Sequence, residues 1–130
     1  MIYGFNDDKS KCPVVPCGGV VDRSGTGASV VVEGNDYIDH TAEKDGLVFC
    51  EMDTAMPDAV VRTTGTTGAY MSLKINDYAY GGFYIGVGEK TFLYTPAFPV
   101  KKGDYIKLSN GYSDTTVGLR IWFLSFEEID

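Results

Sequence analysis

From Tyr70 to Ile75 the chain alternates without a break: Met71, Leu73 and Ile75 fall on one side of an extended backbone, Tyr70, Ser72 and Lys74 on the other. Period two is the pattern of a strand with one buried face. It returns at Phe83, Ile85 and Val87, and again at Leu119, Ile121 and Phe123. No window of about twelve residues carries a 3.6-residue apolar period free of glycine, proline and β-branched clusters, so at most one short helical turn is expected.

Further β-prone runs lie at Ser29–Glu33, Tyr37–Thr41, Leu47–Met52, Ala59–Arg62, Thr91–Thr95 and Tyr105–Leu108. Turn clusters such as Gly34-Asn35-Asp36, Glu43-Lys44-Asp45-Gly46 and Ser109-Asn110-Gly111-Tyr112-Ser113-Asp114 separate several of them. Eight or nine short strands with a turn about every ten residues predict an all-β, antiparallel β-sandwich of jelly-roll type. The predicted core contains Met71, Leu73, Ile75, Ile106, Leu108, Leu119, Ile121 and Phe123. In the last strand Trp122 and Leu124 lie opposite the core triad, which gives that sheet a second apolar face. Either an oligomer interface or a loop of the same chain must cover it, and Trp122 and Leu124 are the candidate interface residues.

With 130 residues there is room for one core. The expected division is an arm over residues 1–18, irregular and rich in Pro, Cys and Gly, followed by a single domain over 19–130. A net charge of −7 is contrary to phosphate neutralisation, so nucleic acid is excluded as a partner. No apolar run has the length for a signal peptide or a membrane span, so synthesis in a cytosol and no membrane insertion are expected. Cys12, Cys17 and Cys50 are odd in number, so free thiols are expected, with Cys50 buried in Leu47-Val48-Phe49-Cys50. A Cys₃His zinc set with His40 lacks the usual close ligand pairs.

Catalysis finds little support. The single histidine, His40, follows Asp39, but neighbouring strand residues point to opposite faces, so the acid cannot orient the imidazole. One histidine is too few for a cupin-type metal centre. Neither a catalytic residue, a metal nor a cofactor is expected, and the chain is read as a non-enzyme. The most unusual local composition is Asn76-Asp77-Tyr78-Ala79-Tyr80-Gly81-Gly82-Phe83-Tyr84. Read as a glycine-rich loop, it offers flat aromatic faces beside planar polar groups, a combination suited to sugars. Asn76, Asp77, Tyr78, Tyr80 and Tyr84 are therefore the candidate ligand contacts; the alternative is that the tyrosines cover a sheet end or line an oligomer axis.

Asp45-Gly46-Leu47-Val48, Leu73-Lys74-Ile75-Asn76, Phe98-Pro99-Val100-Lys101-Lys102-Gly103-Asp104 before Tyr105-Ile106-Lys107-Leu108, and the closing Leu119-Arg120-Ile121-Trp122-Phe123-Leu124 occur in that order. Over roughly residues 45–124 the chain resembles the small C1q/TNF-like jelly rolls of phage and prophage tail-fibre, spike and head-fibre proteins. The resemblance implies a non-enzymatic homotrimeric module on a virion, contacting other virion proteins and contributing to particle structure or to attachment to a host surface glycan or protein. Two other readings stand beside it: a carbohydrate-binding β-sandwich domain, and a phage-encoded inhibitor of a host protein.

Overall fold

The computed structural model describes residues 11–12, 23–25, 29–125 and 127–128, and among them every regular element is a strand. The strands are β1 (Lys11–Cys12), β2 (Arg23–Gly25), β3 (Val30–Glu33), β4 (Tyr37–Thr41), β5 (Gly46–Asp53) and β6 (Ala69–Ile75). They continue as β7 (Tyr78–Ile85), β8 (Phe92–Tyr94), β9 (Phe98–Val100), β10 (Tyr105–Asn110), β11 (Thr116–Ser125) and β12 (Glu127–Glu128).

Two antiparallel sheets form the sandwich. One has the order β4-β10-β6-β7; the other is built on β11 and β5, with β2 and β3 along the far side of β11 and β8 and β9 along the far side of β5. The chain passes repeatedly from one sheet to the other, so most neighbours within a sheet are distant in sequence. This is the expected jelly-roll sandwich. Lys11–Cys12, within the expected arm, pairs with Glu127–Glu128 at the other end of the chain; the rest of residues 1–18, including Cys17, lies outside the described residues.

The core is the layer between the sheets. All eight core residues expected from alternation are buried there, joined by Val48, Cys50, Met52, Val117 and others. Removing a side chain as large as Phe123 from water contributes about 2–3 kcal/mol. Cys50 is buried as expected, and desolvation pushes its thiol up to about 12. It is a packing residue.

Three expectations are corrected. The loop expected from Ser109 starts only after Asn110, because Ser109 and Asn110 pair with Ser72 and Met71 within β10. Ala59–Arg62 is not a strand: Val60 makes only an isolated bridge to Thr116. The segment read as a glycine-rich loop after Asn76 is strand β7, the edge of the four-stranded sheet. Only Asn76 and Asp77 form the turn, both with left-handed backbone (φ 51° and 67°), the conformation of a two-residue hairpin. Sequence inspection overestimated the loop because its glycines and tyrosines lack apolar alternation. On an edge strand with exposed faces, none is required.

Candidate functional site

On the outer face of the larger sheet the register sets Trp122 opposite Phe49, Leu124 opposite Leu47, Arg120 opposite Glu51, and Glu51 opposite Tyr94. Four of these residues, Phe49, Tyr94, Trp122 and Leu124, line a concavity of about 240 Å³. The rings of Phe49 and Trp122 stack nearly parallel (5.8 Å, 12°), and Tyr94 tilts against Phe49 at 6.3 Å. This is the second apolar face anticipated from Trp122 and Leu124. Here it is concave.

Polar chemistry lies behind the rings. Glu51 is buried at 6% exposure, and its carboxylate accepts hydrogen bonds from Trp122 Nε1 (3.2 Å) and Ser29 Oγ (3.1 Å). The guanidinium of Arg120 lies over the Trp122 ring, 3.5 Å from its centroid. The charge of Glu51 is the main reason that the Tyr94 hydroxyl is held above its ordinary pKa, with burial and a hydrogen bond to Glu51 adding to it. The neutral phenol thus keeps its proton over the whole physiological range. Tyr94 is 54% exposed, so the rim offers an aromatic face and a hydroxyl together.

The residues singled out in β7 do not converge. Between Ser72 and Lys74 of β6, paired with Gly82 and Ala79, two residues of β7 oppose one of β6, a bulge with Gly81 at φ +104°. The extra residue reverses the facing of everything before it. Tyr84 pairs with Tyr70 on the outer face and stacks on it (4.8 Å, 16°). Tyr78 instead pairs with the core residue Ile75, and Tyr80 tilts against Phe98 of the other sheet at 5.0 Å. Asn76 is engaged within the fold: its amide donates to Asp104 (2.8 Å), and its carbonyl accepts from the Tyr105 N–H (2.8 Å). Asp77 is exposed in the turn.

His40 and Asp39 diverge as adjacent strand residues should. Asp39 accepts the Tyr105 hydroxyl on the outer face (2.7 Å), whereas the His40 ring sits 6.1 Å from Phe123. Among the described residues no three His, Cys, Asp or Glu side chains are grouped to hold a metal.

Phe49, Glu51, Tyr94 and Arg120 were not foreseen as site residues. A signal existed: like β11, the run Leu47-Val48-Phe49-Cys50 is apolar without alternation, which marks a strand covered on both faces. Only the pairing of β5 with β11 shows that the two outer faces coincide.

No protein-family model and no curated protein matches the chain. Among solved structures it is similar to a family 35 carbohydrate binding module from an environmental isolate, at 15% identity over 85% of this chain and 87% of that one, with a TM-score of 0.49. A carbohydrate-binding module, CBM36, in complex with calcium and xylotriose is 16% identical over 82% and 94% of the two chains, with a TM-score of 0.44. A ruminal GH26 endo-β-1,4-mannanase is 14% identical over 84% of this chain, which spans only 21% of that enzyme, with a TM-score of 0.46. At such identities and TM-scores no site residue transfers from these proteins.

Proposed function

We propose that the protein is a non-catalytic carbohydrate-binding β-sandwich module whose primary site is the concavity formed by Phe49, Tyr94, Trp122 and Leu124. The observation that supports this most is a depression lined by three aromatic rings, with a polar group set behind them. A pyranose has apolar C–H faces and an equatorial girdle of hydroxyls. Aromatic rings receive the faces, and the Tyr94 hydroxyl, its proton directed to Glu51, can accept from the girdle. At about 240 Å³ the depression is just below the range of about 300–1,000 Å³ typical of small-molecule pockets, which suits one sugar unit of a chain that continues into solvent. Glu51 is engaged by Trp122 and Ser29, which suits a positioning role better than acid–base work.

Display on a virion, as the phage resemblance implies, gives such a site the task of attachment to a host glycan. Trimerisation through Trp122 and Leu124 would compete with it for the same surface. Mass spectrometry of purified particles and light scattering of the protein address these two points.

Calorimetry with a panel of neutral oligosaccharides tests the site itself. Tyr94→Ala should weaken binding by about tenfold, equivalent to 1.4 kcal/mol, with the melting temperature unchanged because the ring is largely exposed. Wild-type protein that binds no neutral saccharide, or a Tyr94→Ala variant that binds as well as wild type, rejects the assignment.

A further inference from the structure

The outer face of the four-stranded sheet has a different composition. Its register forms three rows across the strands: Asp39, Lys107, Lys74 and Ala79; then Tyr37, Ser109, Ser72 and Gly82; then Tyr70 and Tyr84. Lys74 and Lys107 are therefore direct cross-strand neighbours. Like charges in that position repel and destabilise a sheet, and a chain with a net charge of −7 has many acids that would have relieved it. Relief is only partial. Among the described residues neither lysine has an ion pair: Lys107 Nζ lies over the Tyr37 ring at 4.3 Å, and Lys74 is exposed. Asp39, in the same row, is turned to the Tyr105 hydroxyl.

The next row is low. Ser72 and Ser109 face each other, half-buried, and no hydrogen bond of their hydroxyls occurs among the described residues. At Gly82 the row is closed, because the Tyr70 ring occupies the space where a Cβ would stand, so the low part is Ser109 and Ser72. Beyond it Tyr84, 58% exposed, stacks on Tyr70. The result is a shallow trough with two ammonium groups along one side, two hydroxyls on its floor and an aromatic stack along the other. From the lysine row to the tyrosine row is four residues, or about 13 Å of strand.

We propose that this trough is a second binding site, independent of the aromatic concavity, and that it takes an acidic oligosaccharide. Lys74 and Lys107 hold the carboxylate or sulfate of one unit, Ser72 and Ser109 bond its hydroxyls, and a neighbouring unit lies against Tyr84. Paired ammonium groups gain from a single anion placed between them, whose attraction to both outweighs their mutual repulsion. A saccharide fits better than an acidic peptide or a nucleic acid: the cationic patch is limited to two side chains in a strongly negative molecule, while the hydroxyl floor and the tyrosine stack suit a sugar chain.

The test is calorimetry of the full chain with three probes of equal length: a uronate-containing oligosaccharide, a sulfated one and a neutral one, each at low and high salt. Wild-type protein should bind at least one acidic probe, more weakly in high salt. Lys74→Gln with Lys107→Gln should reduce that binding by about tenfold or more, leave neutral-probe binding intact and not lower the melting temperature, since a repulsion is removed. Tyr94→Ala should leave acidic-probe binding intact, so the two sites fail separately. No acidic probe bound by wild type, unchanged binding in the lysine variant, or equal binding of an acidic peptide of the same charge would overturn the proposal.

Discussion

The two outer faces of the sandwich share one backbone plan and use it in opposite ways. On the larger sheet, β5 and β11 place aromatic and aliphatic side chains opposite one another, and the face is half-buried, concave and backed by a buried carboxylate. On the smaller sheet the central rows are lysine, serine and glycine, and the aromatic residues sit at the margins. The first face is integral to stability; the second is mainly exposed surface. A half-buried ring on the first, such as Trp122, should therefore be costly to remove, whereas the exposed ring of Tyr94 at its rim and a ring on the second should not.

Substitution of Trp122 and Tyr84 tests that contrast most directly. Trp122→Ala removes a ring that stacks on Phe49, lies under Arg120 and donates to Glu51, and should lower unfolding free energy by about 3 kcal/mol. Tyr84→Ala should lower it by less than about 1 kcal/mol. Urea denaturation of both variants measures this, and equal losses would break the comparison. Glu51→Gln sharpens it. Weakening the acceptor shared by Trp122 and Ser29 should be worth about 1–2 kcal/mol, and loss of the negative charge should bring the Tyr94 hydroxyl down towards its ordinary pKa, as read by ultraviolet titration of tyrosinate.

Gly111→Ala probes the smaller sheet. A Cβ there runs into the Tyr70 ring, so the ring must swing aside and part from Tyr84. The expected loss is about 1 kcal/mol, with a change in the near-ultraviolet circular dichroism of the tyrosines; unchanged spectra would show that the stack does not depend on the glycine. The smallest effect belongs to Tyr105, whose hydroxyl is raised from 10.0 to about 12, first by its hydrogen bond to Asp39. The folded-state pKa is the higher one, so the contribution is complete below about pH 10 and is lost as pH rises towards 12. Tyr105→Phe should lack that part of the alkaline decline in melting temperature.

The β7 tyrosines show how far a sequence pattern reaches. Tyr78, Tyr80 and Tyr84 look equivalent at even spacing, and strict period two puts them on one face. One bulged residue at Gly81 divides them: Tyr78 and Tyr80 fall on the inner side of the register yet stay exposed at the sheet edge, and Tyr84 falls on the outer. Asn76 is a candidate ligand contact in the sequence because it is a planar polar group beside aromatic residues; the approach of Asp104 and Tyr105, far along the chain, engages its amide.

By itself the sequence determined the class of fold, the buried set from Met71 to Phe123, and the second apolar face that Trp122 and Leu124 announce. Those properties follow from local periodicity and solvent preference, which each strand carries alone. Tertiary structure decided which strands became neighbours. It brought Glu51 under Trp122, Tyr94 beside Phe49, and Lys74 opposite Lys107. Cross-strand pairing joins residues with no local relation, and a single bulge reverses which face a side chain occupies.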